Sequence, residues 1–244
     1  MRLDQAVIDR GLCQSRTEAQ ELIEAGEVSL NGIITTKQTK QVSEADVIVI
    51  SSRRKFVSRG GEKLAGIMMD VFEDEVAAKR NLSGKYALDI GSSTGGFTDY
   101  LLKHGVCHVD AVDVGTNQLH QSLRSDARIS VFENTDIRTF SSETKYDVVV
   151  TDLSFIPLKH VFVEALALGK SGALYFLLLK PQFEVGKGNT KKGIVKDITL
   201  VEEMLSAYEK MARECGLTEV RLFPCRIQGG DGNQEYFLFG VKGE

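Results

Sequence analysis

The stretch Tyr86-Ala87-Leu88-Asp89-Ile90-Gly91-Ser92-Ser93-Thr94-Gly95-Gly96-Phe97 constrains the fold more than any other part of the chain. An apolar run ends in an acid, passes through a glycine-rich turn and continues into Phe97-Thr98-Asp99-Tyr100-Leu101-Leu102-Lys103, which reads as helix. That is the opening strand–turn–helix of a doubly wound α/β sheet, whose ligands sit beyond the carboxyl ends of the strands. Glycines there let the backbone approach a ligand closely and adopt positive φ.

The turn narrows the ligand. A dinucleotide fingerprint needs glycine where Ser93 stands, and a phosphate-cradling P-loop needs Gly-Lys-Ser/Thr at its end, which is missing. S-adenosylmethionine is the remaining common choice, with Gly91, Gly95 and Gly96 letting the backbone between Asp89 and Phe97 come close to it. The next strand, Val109 to Val112, ends at Asp113, whose carboxylate can accept both ribose hydroxyl protons of a nucleoside. A third strand, Ala127 to Phe132, leads to Asp136, either an acceptor for an adenine amino group or a turn residue. On its own, such a turn also fits a purely structural strand–helix junction.

Two further strands carry ionisable residues to the same edge. Tyr146-Asp147-Val148-Val149-Val150-Thr151 is apolar enough for a buried parallel strand and ends at Asp152. Ala173 to Leu179 ends at Lys180-Pro181. A lysine at a strand tip in a partly apolar crevice is costly unless paired, so Lys180 is either half of a structural ion pair or catalytic. Upstream, Ser58-Arg59-Gly60-Gly61-Glu62-Lys63-Leu64 opens a helix with Lys63 in its first turns, where the macrodipole disfavours a cation. A helix over 199–215 and a closing hairpin, Val220–Pro224 with Tyr236–Val241, complete the chain, placing Glu235 at the start of the last strand. Methyl transfer to a ribose hydroxyl needs a cation to stabilise the developing alkoxide, or a lysine to take the proton. Lys63, Asp152, Lys180 and Glu235 are the candidates, and no metal is required.

The first 50 residues form a different kind of unit. A short helix over 3–10 is stopped by Gly11, and Ser15-Arg16-Thr17-Glu18 is a capping box for a second. Asn31-Gly32 between Val28–Leu30 and Ile33–Ile34 is a strong hairpin signal, and Val47–Ile50 adds a strand. So small a core usually serves a binding module. Arg-Leu-Asp followed by Ser-Arg-x-x-Ala-x-x-Leu-Ile-x-x-Gly-x-Val-x-Leu-Asn-Gly resembles the S4 RNA-binding domain. The resemblance implies contacts to structured RNA from Ser15, Arg16, Gln20, Asn31 and Lys37. Residues 1–50 nevertheless carry five basic against eight acidic side chains, so this unit is expected to position RNA more than to anchor it.

The chain as a whole has net charge −4, so nucleic-acid contacts must come from local clusters. One is Arg53, Arg54, Lys55 and Arg59; replacing its first three members should weaken RNA binding and spare the cofactor. A second is the glycine-rich loop carrying Lys187, Lys191, Lys192 and Lys196. Four scattered cysteines, a start at Met1-Arg2-Leu3-Asp4 without a signal-peptide pattern, and no apolar run of membrane-spanning length point to the cytoplasm.

Asp89–Phe97, Asp152, Lys180-Pro181 and Glu235, with Lys63 upstream, resemble the Lys-Asp-Lys-Glu tetrad of FtsJ/RrmJ-type ribose 2′-O-methyltransferases. The leading S4 module, the Ser58–Leu64 entry and Thr151-Asp152-Leu153-Ser154-Phe155-Ile156 together resemble the hemolysin A/TlyA family over essentially the whole chain. That resemblance implies a Rossmann-like methyltransferase domain, with a seven-stranded, mostly parallel sheet and a C-terminal antiparallel strand, behind a small α+β S4 domain. The expected boundaries are 1–52 for the S4 domain, 53–61 for a basic linker and 62–244 for the methyltransferase. It further implies S-adenosylmethionine bound by Gly91, Gly95, Phe97, Asp113 and Asp136, and catalysis by Lys180 with Lys63, Asp152 and Glu235. The implied partner is ribosomal RNA, modified on cytidine ribose in one or both subunits, with no membrane and no obligate protein partner. Phe97 replaces the tryptophan of the single-domain relatives; either ring can pack on the cofactor. Rival readings are a base N-methyltransferase that flips its target, a cytolysin, and an RNA-binding protein without activity.

Overall fold

The N-terminal unit is a helix pair packed on a three-stranded sheet. α1 (Leu3–Asp9) is followed by Gly11 at φ 66°, and α2 (Arg16–Glu24) starts on Ser15, whose hydroxyl accepts from Glu18 N at 3.1 Å. β1 (Val28–Leu30) and β2 (Ile33–Ile34) are joined by Asn31 and Gly32 at φ 52° and 81°, the left-handed pair a type I′ hairpin needs. β3 (Ile48–Ile50) pairs with the other side of β1. Leu3, Ala6, Val7, Ala19, Ile23 and Val28 fill the core between helices and sheet. The structure, a computed structural model, describes residues 1–13, 15–50, 55–186, 188–230 and 232–244, without the side chain of Glu21. Arg53, Arg54 and Lys187, expected at RNA, lie outside the described residues.

The larger unit begins with α3 (Arg59–Phe72) and α4 (Glu75–Leu82). From Phe56 on, the segment expected as a linker packs onto this unit: Phe56 is 3% exposed, and Val57 N donates to Asp99 Oδ2 at 2.9 Å. α4 has no strong apolar period and escapes the sequence reading; Asp74 caps it by accepting from Ala77 N at 2.6 Å. There follow β4 (Tyr86–Ile90), α5 (Gly96–Lys103), β5 (His108–Val112), α6 (Gln121–Arg124), β6 (Ile129–Phe132), β7 (Tyr146–Thr151), a 3₁₀ turn (Leu158–His160) and α7 (Phe162–Leu168). β8 (Gly169–Leu179), α8 (Pro181–Glu184), α9 (Ile198–Glu214), β9 (Leu217–Pro224) and β10 (Tyr236–Lys242) close the chain.

The seven strands lie in the order β6-β5-β4-β7-β8-β10-β9, with β10 antiparallel to both neighbours and the other pairings parallel. Alternate residues of the central strands feed two apolar layers: Val149, Tyr175 and Leu177 meet α7 and α9, while Val148, Val150 and Phe176 meet α3 and α5. Burial on both faces is why these strands read as continuous apolar runs. β8 starts four residues earlier than the apolar run suggests, because Gly169 pairs with Tyr146 across a bulge. Among the described residues, no helix is long and apolar enough to cross a membrane.

Candidate active site

The carboxyl ends of β4, β7 and β8 and the start of α3 meet at a cleft of 230 Å³. The turn after β4 supplies its floor. Gly91 and Gly95 sit at φ 79° and 92°, and a Cβ on Gly91 would lie 2.8 Å from the Asp152 carbonyl oxygen. A Cβ on Gly96 would lie 2.3 Å from Ser58 Oγ, so the turn packs directly against the N-terminus of α3. Phe97 is almost fully buried against Phe237, with ring centroids 6.1 Å apart, and also lines the cleft.

The two lysines meet here. Lys63 reaches in from α3 and forms an ion pair with Glu235 at 2.6 Å. Lys180, at the end of β8, forms an ion pair with Asp152 at 2.5 Å and donates to Ser154 Oγ at 2.9 Å. Lys63, Lys180 and Glu235 are all buried. Burying a charge costs several kcal/mol per ion unless partners compensate, so two matched pairs are the arrangement that makes such a site tolerable. Burial pulls the Lys63 ammonium down, but the Asp152 and Glu235 carboxylates more than offset it, and its pKa is raised overall. Burial likewise pushes Asp152 up, yet Lys180 and Lys63 together hold it below the usual carboxylate range. Lys63, in the first turns of α3 where the macrodipole disfavours a cation, is thus buried and paired. Ser154, which the sequence placed only within a motif, is a direct partner of Lys180.

Asp89 behaves differently. It is fully buried; Oδ2 accepts from Thr98 N and Oγ1 at 3.0 and 2.7 Å, while Oδ1 finds no hydrogen-bond partner among the described residues. Burial pushes its pKa up to about 7.

A second cavity, of 490 Å³, adjoins the first and shares Gly91, Ser93, Asp152 and Ser154 with it. Ile90, Val112, Ile137, Leu153 and Ile156 give it apolar walls. At its rim, Asp113 Oδ2 accepts from Ser93 N at 2.8 Å and Oδ1 from Gly115 N at 2.7 Å, which leaves each oxygen a further lone pair. Asp136 lines the same cavity but is engaged by Arg138, which holds its pKa at about 2. Phe155 stands at the mouth at φ 69° and 87% exposed, its ring tilted on Phe183.

These features fit S-adenosylmethionine. The apolar cavity suits an adenine and Asp113 a ribose, while the unpaired Asp89 oxygen suits a cationic group reached past a backbone that no Cβ could occupy. Asp89, Gly91, Gly95, Gly96, Phe97, Asp113, Asp136 and Asp152 all lie in or beside these cavities, although Gly95 packs under Leu119 and Leu123 rather than lining them.

The residues expected at RNA are less uniform. Lys37 is exposed, and Lys191 and Lys192 are exposed on a tight turn. Arg16 and Gln20 are turned to Asp4, donating to it at 3.2 Å each, and Ser15 caps α2. Asn31 is held by Asp46. Lys55 pairs with Glu75, and Arg59 donates to the Gln228 carbonyl at 2.5 Å while lining the cleft. Thr17 and Glu24 of α2 also line the cleft, so the small domain sits at its mouth.

Comparison with known proteins agrees with this geometry. Residues 56–242 match the FtsJ-like methyltransferase family, and residues 1–48 match the S4 domain. The 16S/23S rRNA (cytidine-2′-O)-methyltransferase TlyA of Mycobacterium tuberculosis is 41% identical over 98% of this chain and 88% of its own length. The 23S rRNA (cytidine-2′-O)-methyltransferase TlyA of Campylobacter jejuni is 37% identical over 99% of this chain and 100% of its own. A solved structure described as a hemolysin from Streptococcus thermophilus superposes with a TM-score of 0.76 and 31% identity, covering 100% of this chain and 89% of that one. The chain belongs to the FtsJ-like methyltransferase family, with an S4 domain ahead of the catalytic fold.

Proposed function

We infer that this chain methylates the 2′-hydroxyl of a cytidine ribose in ribosomal RNA, with S-adenosylmethionine as donor. One observation carries the reading: two buried lysines, each matched to a carboxylate, open onto the cleft that the glycine turn lines. Amine nucleophiles on bases have no need of such a pair, whereas a ribose hydroxyl is too weak an acid to attack unaided. The relatives that act on cytidine ribose supply the substrate class.

When bound, S-adenosylmethionine supplies a methyl group already activated by its sulfonium. Lys180, its Nζ fixed by Asp152 and Ser154, is the group placed to meet the attacking hydroxyl, and once it has released its own proton to solvent it can take the hydroxyl's. Lys63, whose two carboxylates keep it protonated, is the standing positive charge that favours the developing alkoxide. Asp152 serves both lysines and Glu235 holds Lys63, so the four act as one unit and their substitutions should not add. Arg59, Lys191 and Lys192 are the cations that phosphates meet first, and Phe155 offers an exposed ring face on which a base can stack.

The test is methyl transfer from radiolabelled S-adenosylmethionine to purified 30S and 50S subunits, followed by digestion to nucleosides. Label on 2′-O-methylcytidine is the expected result, and its subunit of origin identifies the target. Label on a base overturns the assignment of the lysine pairs.

A further inference from the structure

In the loop between α8 and α9, a tight turn is held by a side chain from the segment before β10. Lys191 and Ile194 exchange two backbone hydrogen bonds, of 2.8 and 3.2 Å, around Lys192 and Gly193 at φ 53° and 81°. Two consecutive left-handed residues make this a type I′ turn, and it presents Lys191 and Lys192 to solvent. The turn has little of its own to fix it in place. Asn233 supplies what is missing: its Nδ2 donates to Gly193 O at 2.8 Å, and its Oδ1 accepts from Val195 N at 3.0 Å. The carboxamide thus grips both sides of Ile194 as a neighbouring strand would.

Asn233 is itself immobile. It is 3% exposed, and its carbonyl accepts from Gly229 N at 2.9 Å. Two residues on is Glu235, whose carbonyl accepts from Cys225 N at 2.8 Å and whose carboxylate pairs with Lys63. Gly229 belongs to the same turn: a Cβ there would lie 2.6 Å from Glu235 Oε1, so Glu235 packs against the turn where only glycine fits. A rigid path therefore runs from the lysine turn through Asn233 to the Glu235–Lys63 pair.

We propose that Asn233 is a positioning residue that locks the Lys191–Lys192 turn to Glu235, so that RNA phosphate docking and alignment of the Glu235–Lys63 pair occur together. The proposal rests on the reading of that turn as an RNA contact. Asn233→Ala frees the turn and loosens the residue two before Glu235. Asn233→Asp keeps the acceptor for Val195 N but sets a carboxylate against the Gly193 carbonyl, so it should not rescue.

The experiment compares Asn233→Ala, Asn233→Asp, Lys191→Ala/Lys192→Ala and the Asn233→Ala combination with the lysine double variant. It measures KM for ribosomal subunits, kcat, S-adenosylmethionine affinity and thermal unfolding. Asn233→Ala is expected to raise the RNA KM and lower kcat, each about tenfold, with cofactor affinity within twofold of the parent. Added to the lysine double variant, it should raise KM little further, because the contacts it organises are already gone. Equal losses of RNA affinity, cofactor affinity and thermal stability would make Asn233 merely structural and overturn the proposal. A full tenfold rise in KM on top of the lysine variant would leave phosphate docking standing and overturn the coupling alone. An unchanged KM in the lysine variant would remove the docking reading itself, and the coupling with it.

Discussion

Asp4 and Asp89 are both fully buried carboxylates, one in each domain, and they are treated in opposite ways. Asp4 accepts from Nε and Nη2 of Arg2 at 2.9 Å each and from Arg16 and Gln20, and the Arg2 pair holds its pKa far below the usual carboxylate range. Asp89 has Thr98 on one oxygen and no partner among the described residues on the other, and burial lifts its pKa to about 7. A buried charge that the fold satisfies completely is architecture. One left half satisfied beside a cavity is waiting for something that binds. The S4 domain has spent its buried charge on holding α1 to α2, whereas Asp89 of the catalytic domain lines the cleft with one oxygen unpaired among the described residues.

The lysine pairs sharpen this contrast, because there the catalytic domain does satisfy its buried charges, and with chemistry in view. Lys180→Ala should lower kcat about a thousandfold while leaving S-adenosylmethionine affinity within a few-fold of the parent, a size typical of losing a proton-handling group. Single-turnover methylation of subunits measures the first quantity, and calorimetric titration of the cofactor the second. Equal loss of both would make Lys180 a binding residue, and the distinction drawn between it and Asp89 would fail.

Asp89 gives the next largest effect. To pair with a cationic ligand it must lose its proton, so cofactor affinity should rise about tenfold between pH 5 and 7 and then level off. Asp89→Asn should flatten that profile and weaken binding about tenfold at pH 8. The same substitution should stabilise the cofactor-free protein at pH 8, because an ionised buried carboxylate without a partner works against folding. A variant that bound less tightly and was also less stable would show that Asp89 is structural after all.

Much of this was legible in the residues. Glycines at positive φ, the apolar parallel strands and the acids and lysines at their ends are local signals, and strand direction carries them to one edge without further information. Asn31-Gly32 and Ser15 announced the small domain in the same way. What was not legible depends on contacts between distant segments. That Arg16 and Gln20 face Asp4 rather than standing free requires knowing that α1 packs across α2. That Lys180 has Ser154 as a second partner requires knowing that β7 and β8 are neighbours and end side by side. α4 was missed because its stability comes from Asp74 and from packing of Ala78 and Leu82, not from a period in its sequence. Asn233 lies in a glycine-rich turn, and only its contacts with Gly193 and Val195 show what its amide holds.

The smallest effect on catalysis, and the cleanest division between the domains, should come from Asp4. Its folded pKa is depressed, so it contributes stability above its unfolded pKa, near 4, and loses it as pH falls below that value. Asp89 has the opposite sign: its folded pKa is raised, so its favourable contribution is full below about pH 4 and disappears as pH rises towards 7. Amide exchange resolved by peptide, followed from pH 3.5 to 8, should show the S4 domain loosening at the acid end and the cofactor-free catalytic domain at the neutral end. Asp4→Asn should cost the small domain about 2 kcal/mol, less than a fully buried ion pair would, because Arg2 and Arg16 are partly exposed and return to water. It should raise the RNA KM a few-fold and leave kcat at saturating RNA unchanged. Were kcat to fall with it, the S4 domain would be shaping the catalytic cleft from its mouth, where Thr17 and Glu24 stand, and the two domains would no longer divide structure from chemistry so simply.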